Sequence, residues 1–278
     1  MAVAGGPPGF AQVTDETTLR VPLNAVDPLG EIEAGQGAGV LFLIPGIGET
    51  LRANGRVRRV ADGALEIAVE ECFIYCAKAL IRSDFWTPAA AEPPGEAGAF
   101  VDASRFLALA TMDSEGRVDI SPKGDPAGRL IRVEDGHATL AERPGNRLAF
   151  GYRNIIEQPR VAVLCLVPGA QAVARLFGRA VLTTNEAVRE SFVVEGKTPA
   201  MATVVEELSA SLAPSEALAR AAVWTQAPAA RDIDPAAVLV AHLKLNKARG
   251  AQATMLRLAV NRGLIAKGLE ANYRDGLY

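Results

Sequence analysis

The chain has 278 residues, of which 49% are apolar, and its formal net charge at pH 7 is −3. This length allows two domains or one large one, with a substantial buried core. Because basic and acidic residues are nearly balanced, no nucleic acid and no anionic membrane surface is expected as the main partner. The three cysteines form no disulfide framework, and the N-terminus lacks a signal-peptide pattern, so a cytoplasmic location is expected.

In chain order, the first hundred residues contain short strands followed by one helix. Strands are predicted at Gly39–Ile44 and Thr50–Val60, on either side of a Pro-Gly turn. Glu66–Tyr75 mixes strand and helix signals. Cys76–Phe85 is predicted to be helical because its apolar residues recur on one face. The Ala-, Pro- and Gly-rich stretch Thr87–Ala99 is predicted to be a linker.

Beyond the linker the pattern is again mainly β. Strands are predicted at Phe106–Met112, Val118–Ser121, Leu130–Val133, His137–Ala141, Arg160–Val167, Ala172–Leu182 and Ala202–Leu208. Short helices are predicted at Arg147–Glu157 and around Asn185–Val194, and two longer ones, Asp234–Lys247 and Gln252–Tyr273, form a helical tail. Many short strands with regular turns predict a mostly β protein, a barrel or a sandwich, with peripheral helices.

One pattern occurs twice along the chain. The first copy contains GGPPG at Gly5–Gly9, VLFLIPG at Val40–Gly46 and CAKALIRSDFW at Cys76–Trp86. The second contains GDPAG at Gly124–Gly128, VLCLVPG at Val163–Gly169 and PSEALARAAVW at Pro214–Trp224. A repeat of this size indicates a duplicated domain, because a solenoid needs several short units. We expect a degenerate repeat at 1–90, a linker at 91–99, a complete repeat at 100–225 and a helical tail at 226–278.

Three segments of the second copy carry a family resemblance. They are FLALATMDSEGRVDISPKGDPAG at Phe106–Gly128, ERPGNRLAFGYRNIIEQPRVAVLCLVPG at Glu142–Gly169 and ARLFGRAVL at Ala174–Leu182. In order and spacing they resemble the pyridoxamine 5′-phosphate oxidase-like proteins, the FMN-binding split β-barrel superfamily. The resemblance implies two tandem split β-barrel domains that form a pseudo-dimer, with FMN in the cleft between them. One barrel would hold the phosphate, and the other would supply side chains to the ring.

The second copy has the residue types that a phosphate needs. Ser121 and Lys123 follow a predicted strand in SPKG, and Arg143, Asn146 and Arg147 surround the Pro-Gly turn of RPGNR. A phosphate binds cationic donors and free backbone N–H groups, which a glycine turn near a helix start can offer. RPGNR alone would more often be a solvated turn. Together with SPKG at barrel spacing, it favours a phosphate clamp.

The first copy lacks these residues and keeps a different set. PLNAVDP, without a cation, stands where RPGNR would fall. The helix that ends this copy keeps Lys78, Arg82, Ser83 and Trp86, which we expect to face the flavin ring. A cation near the ring stabilises its reduced form, and a tryptophan can stack on it. The alternative is packing, with Trp86 in the core and Lys78 and Arg82 as an exposed i, i+4 pair.

The two copies together predict one composite FMN site per chain. The function expected from the resemblance is a flavin-dependent oxidoreductase that uses a small-molecule substrate or NAD(P)H, with a non-catalytic flavin-binding or sensing protein as the alternative. Haem or a deazaflavin in the same cleft is a third interpretation, and haem is disfavoured because His137 and His242 lie away from the motifs. No metal site and no acid–base catalyst stands out. A homodimer in addition to the pseudo-dimer is allowed, and the site could form within one chain or between two.

Overall fold

The computed structural model describes residues 1–75, 77–145, 148–225, 233–245 and 261–278. These residues form two antiparallel sheets, of five and seven strands, with seven α-helices around them. The predicted class, mostly β with peripheral helices, is confirmed. Cys76, at the start of one predicted helix, and residues 252–260 of the predicted tail lie outside the described residues. No described helix has both the length and the apolar character needed to cross a bilayer.

The smaller sheet uses the first 75 residues. Its strands are β1 (Gln12–Asp15), β2 (Thr18–Pro22), β3 (Gly37–Phe42), β4 (Thr50–Ala61) and β5 (Ala64–Tyr75), in the order β1-β2-β5-β4-β3. Glu66–Tyr75, with its mixed signals, is strand because β5 pairs with β4 along its whole length. Leu19, Val21 and Ile67 form the small core of this sheet.

The larger sheet follows in the chain. Its strands are β6 (Phe106–Met112), β7 (Val118–Gly124), β8 (Ile131–Glu134), β9 (His137–Glu142), β10 (Arg160–Leu166), β11 (Ala172–Thr183) and β12 (Met201–Pro214). The order is β7-β6-β10-β11-β12-β9-β8. β12 extends well beyond the predicted Leu208 because it pairs with β11 as far as Pro214. The core of the larger sheet is the largest cluster among the described residues and includes Leu107, Ile131, Leu140 and Leu176.

Five strands of the larger sheet repeat the order of the smaller one. The run β8-β9-β12-β11-β10 corresponds strand for strand to β1-β2-β5-β4-β3, and all these pairings are antiparallel. The two longest strand pairs, β4–β5 and β11–β12, each contain a register shift at a glycine, which is Gly55 in β4 and Gly178 in β11. A Cβ at Gly55 would lie 1.9 Å, and one at Gly178 would lie 2.4 Å, from a carbonyl oxygen of the paired strand. The β6–β7 hairpin has no counterpart among the strands of the smaller sheet.

The helices connect or flank the sheets. They are α1 (Lys78–Arg82), α2 (Ala97–Ala103), α3 (Phe150–Glu157), α4 (Glu186–Glu190), α5 (Glu216–Ala221), α6 (Pro235–Leu245) and α7 (Arg262–Asp275). α1 is shorter than the helix predicted there. α2 begins inside the expected linker, because the Glu96 carboxylate accepts hydrogen bonds from the N–H groups of Gly98 and Ala99 and so caps it.

An apolar cluster joins the two halves of the chain. Phe85 is fully buried and contacts Phe106 and Trp224, with ring centroids 4.8 and 5.5 Å away. The indole N–H of Trp224 donates to the carbonyl oxygen of Phe85 at 2.8 Å. Residues that follow α1 and α5 therefore pack against each other, and both helices contribute side chains to one shared core.

Candidate cofactor site

Two glycines let the helices of one half approach the strands and turns of the other. A Cβ at Gly124, the last residue of β7, would lie 1.9 Å from the carbonyl oxygen of Ala79 in α1. A Cβ at Gly5 would lie 2.0 Å from the carbonyl oxygen of Ala217 in α5. These distances are far below any real Cβ contact, so both positions require glycine. The two contacts correspond to each other, because Gly5 begins GGPPG and Gly124 begins GDPAG.

Arg82 extends from α1 to the Pro-Gly turn of the second half. Its Nη2 donates to the carbonyl oxygen of Pro144 at 2.6 Å, and its Nε donates to that of Leu277 at 2.6 Å. Arg82 is only 9% exposed. The structure therefore brings α1 and the start of the RPGNR turn, 62 residues apart, into contact within one chain.

Lys123 of β7 points at a buried carboxylate on β9, a strand near the opposite edge of the larger sheet. Its Nζ lies 2.5 Å from Oε2 of Glu142, the last residue of β9. Glu142 also accepts hydrogen bonds from the hydroxyls of Tyr152 and Thr203, at 2.9 and 2.6 Å. Three donors, one of them the charged ammonium group of Lys123, hold this carboxylate in place.

Arg143 makes a second buried ion pair. Its Nε lies 2.5 Å from Oδ2 of Asp125, and its Nη2 donates to the carbonyl oxygen of Phe192 at 2.5 Å. Asp125 is fully buried. Burial raises the pKa of this carboxyl group, and the positive charges of Arg143 and Arg82 oppose that rise. The clamp residues Lys123 and Arg143 are thus each paired with a carboxylate.

The end of the described chain lies across these residues. The Tyr278 ring centroid is 5.3 Å from the guanidinium carbon of Arg82 and 5.2 Å from that of Arg143. Burial, together with the negative charge of Asp125, raises the pKa of Tyr278 to about 12. The hydroxyl of Tyr273 accepts from the N–H of Ala77, just before α1, and donates to Glu49. The helical tail therefore contacts both halves at the expected cofactor site.

The remaining expected site residues differ in their surroundings. Lys78 is 6% exposed, and its Nζ lies 3.5 Å from where a Cβ of Gly276 would be. Ser83 is fully buried, and its hydroxyl bonds to the α1 carbonyls of Ala79 and Leu80. Trp86 packs edge-on against Phe85, with centroids 4.9 Å apart, in the core shared by the two halves.

For Trp86 these contacts fit the packing alternative better than contact with a ring. Lys78 and Arg82 are both buried, so they are not the exposed pair of that alternative, and the Ser83 hydroxyl is bonded within its own helix. Ser121 donates from its hydroxyl to Oδ2 of Asp119 at 2.9 Å. Asn146 and Arg147 lie outside the described residues.

A buried polar cluster between the halves was not expected from the sequence. Arg52 of β4 has no exposed surface, and it forms an ion pair with Asp119 of β7, which also accepts from Asn54. The guanidinium of Arg52 lies over the ring of Phe73 and near that of Phe150, at 4.8 and 5.8 Å. A lone arginine in an alternating strand gives no sequence signal of burial, because its partner is 67 residues away.

The charges at the site suit a phosphate-bearing ligand. Four cations, Lys78, Arg82, Lys123 and Arg143, lie around the Pro-Gly turn and α1, and Lys123 and Arg143 are ion-paired with the buried carboxylates Glu142 and Asp125. Around the turn, no described atom lies within 4 Å of a Cβ built at Gly145, so a ligand can approach the backbone there. Within the described ranges, no group of three or more His, Cys, Asp or Glu residues could hold a metal ion.

The fold, the order of the strands and the turns at the site agree with one family. Residues 93–230 match the family model of pyridoxamine 5′-phosphate oxidase. The chain belongs to the pyridoxamine 5′-phosphate oxidase-like family. The resemblance noted from the sequence is thereby confirmed for the second repeat, and the match does not extend into residues 1–92. Among curated proteins, none matches this chain.

Several solved structures show a similar fold over part of the chain. The FAD binding protein from Mycobacterium smegmatis is 14% identical, with 46% of this chain and 98% of that protein covered and a TM-score of 0.30. HutZ, a haem storage protein from Vibrio cholerae, is 16% identical over 39% of this chain and 85% of its own, with a TM-score of 0.25. General Stress Protein 26 from Bacillus anthracis is 14% identical over 41% of this chain and 89% of its own, with a TM-score of 0.32.

Proposed function

We propose that this member of the pyridoxamine 5′-phosphate oxidase-like family binds FMN and works as a flavin-dependent oxidoreductase. The observation that supports this most is the contact between α1 and the Pro-Gly turn, made by Arg82 and the carbonyl oxygen of Pro144. Family members of this kind hold a flavin between two barrels, and this contact joins the two halves where such a cofactor would lie. When bound, FMN would supply the redox chemistry.

Each half of the chain would have its own task in the site. Lys123 and Arg143, together with Ser121, Asn146 and Arg147, would hold the phosphate and the sugar-like chain. Lys78 and Arg82 would lie near the ring and favour its reduced state, because positive charge stabilises the added negative charge. Glu142 and Asp125 would keep Lys123 and Arg143 oriented, since each carboxylate is buried and ion-paired.

We also propose that the two halves arose by duplication and form a pseudo-dimer within one chain. The matching strand orders and the matching contacts of Gly5 and Gly124 support this. The expected domains are 1–90, 100–225 and a tail at 226–278. Because the first half lacks the β6–β7 hairpin and the cations of RPGNR, we expect one FMN per chain. A homodimer would add a second site by symmetry without changing this ratio.

The phosphate assignment is tested by comparing FMN with riboflavin. Charge-assisted hydrogen bonds contribute about 1.5–3 kcal/mol each, so FMN should bind at least about tenfold more tightly than riboflavin. Lys123→Ala should weaken FMN by a similar factor and leave riboflavin nearly unchanged. Arg160→Ala, an exposed arginine of β10, is the control. Equal affinities of the wild-type protein for the two ligands would refute the phosphate site, and a bound ratio near two would refute the single-site proposal.

The ring assignment is tested by the midpoint potential of the bound flavin. Lys78→Gln and Arg82→Gln should lower this potential, because each removes a positive charge from near the ring. Arg220→Gln is the matched control, since Arg220 occupies in α5 the place that Arg82 has in α1. If all three variants keep the wild-type potential, α1 has a packing role and the composite site is wrong.

A second candidate, a non-catalytic flavin-binding or sensing protein, is favoured by the position of the tail. Tyr278 contacts the same guanidinium groups that the cofactor would use. Steady-state oxidation of NADH or NADPH by the flavin-loaded protein distinguishes the two candidates. Turnover supports the oxidoreductase, and a loaded protein that is reduced by dithionite but by neither nucleotide supports the binding protein.

A further inference from the structure

The residues from Tyr273 to Tyr278, here called the tail segment, contact the rest of the protein at the proposed cofactor site. The Tyr273 hydroxyl bonds to Glu49 and to the N–H of Ala77, at 2.9 and 3.1 Å. The carbonyl oxygen of Leu277 accepts from Arg82 at 2.6 Å. The Tyr278 ring lies 5.2–5.3 Å from two guanidinium carbons. These contacts join the tail segment to α1 and its start, to Glu49 before β4 and to Arg143 in the Pro-Gly turn.

The way in which the tail segment is held suggests that it can be released. Residues 276–278 belong to no strand or helix, and the N–H of Gly276 bonds back to Asn272 of its own helix. Leaving the site would therefore break side-chain contacts without disturbing either sheet. Opening energies are lowest for such segments, because few backbone hydrogen bonds are lost.

The chemistry of the contacts suggests what would replace the tail segment. The Arg82 guanidinium meets the carbonyl oxygen of Leu277 and the Tyr278 ring there, and the Arg143 guanidinium meets the same ring beside its ion pair with Asp125. A phosphate held by Arg143 would form charge-assisted hydrogen bonds with its guanidinium group, and these are about twice as strong as neutral ones. An anionic ligand can thus displace the tail segment, whereas an uncharged ligand would gain less from doing so.

We propose that the tail segment is an internal competitor of the phosphate-bearing cofactor, occupying the Arg82–Arg143 contacts until the cofactor displaces it. This inference rests on the proposed function, because it names FMN as the displacing ligand. The apparent affinity then equals the intrinsic affinity multiplied by the fraction of molecules in which the site is open. Any change that weakens the tail contacts should tighten cofactor binding.

The decisive variant is Tyr278→Ala in the full-length chain, studied by fluorescence titration with FMN. Loss of the ring contacts should open the site more often and lower the apparent Kd by about fivefold to tenfold. Tyr278→Phe keeps the ring and removes only the hydroxyl near Asp125, so it should show a smaller decrease and is the milder variant. Leu264→Ala, at a 63% exposed position of α7, is the control and should bind like wild type.

Hydrogen exchange gives a second, independent measurement. Addition of FMN to the wild-type protein should speed amide exchange in residues 273–278, because the cofactor releases them. If Tyr278→Ala binds FMN as well as or less well than wild type, the competition is refuted, while the proposed function stands. If neither the wild-type protein nor any of the variants binds FMN, the proposed function fails together with the inference. Slower exchange of residues 273–278 on addition of FMN would show that the segment closes over the cofactor, which also overturns the proposal.

Discussion

Gly124→Ala should damage the proposed site much more than the equivalent change in the other half. The new Cβ would lie 1.9 Å from the carbonyl oxygen of Ala79, whereas real Cβ contacts stay above about 3 Å. The obstacle is backbone, so α1 has to move away from β7 by at least about 1 Å. Overpacking of this kind costs about 1–3 kcal/mol, offset by up to about 1 kcal/mol from the stiffer unfolded chain.

The chain provides a matched control for this change in Gly5→Ala. Its Cβ would lie 2.0 Å from the carbonyl oxygen of Ala217, so the steric cost is nearly the same. Both variants should lose thermal stability, by roughly 2–4 °C per kcal/mol for a protein of about this size. Only Gly124→Ala moves α1, and a misplacement of about 1 Å near a binding site can weaken it up to about a hundredfold.

The assay combines differential scanning fluorimetry with FMN titration of both variants. We expect similar decreases in Tm and a large loss of FMN affinity in Gly124→Ala alone. Equal losses of affinity would mean that the damage is global. An unchanged affinity in Gly124→Ala, with the expected loss of Tm, would refute the idea that α1 forms one wall of the site.

Three further predictions concern buried groups. Arg52→Met should destabilise the protein by about 3–5 kcal/mol in chemical denaturation, because it leaves the Asp119 carboxylate buried without its cation, and Arg52→Met/Asp119→Leu should recover part of that loss. Burial raises the pKa of Asp125, so the folded state holds the proton of this carboxyl group more tightly than the unfolded state does. This group therefore makes the free energy of unfolding fall as the pH rises from about 4 towards the folded-state pKa. Asp125→Asn should remove that part of the pH dependence, as denaturation measured at a series of pH values would show. Burial raises the pKa of Cys165 to about 12. A thiol reagent should therefore label the exposed Cys72 in the native protein and leave the buried Cys165 unlabelled. Equal labelling of both cysteines would contradict the buried position of Cys165.

The local pattern of the sequence predicted most strands, because alternation and Pro-Gly turns are local signals. The strands on either side of the turns at Pro45–Gly46 and at Pro168–Gly169 are examples. Where the structure differs from the prediction, a specific contact outweighed composition. Thr87–Ala99 has the composition of a linker, and yet the Glu96 carboxylate starts a helix within it. The length of β12 depends on its pairing with β11, which no local pattern of β12 shows.

At the candidate site, the sequence by itself determined which residue types are present and that the two copies keep different sets. It also determined the family, because the order of motifs in the second copy is encoded along the chain. Only the tertiary structure decided which groups meet. Arg82 reaches Pro144 and Leu277, and Lys123 and Arg143 are paired with buried carboxylates. Such contacts join positions tens to hundreds of residues apart, so they depend on how the sheets pack and leave no periodic trace in the sequence.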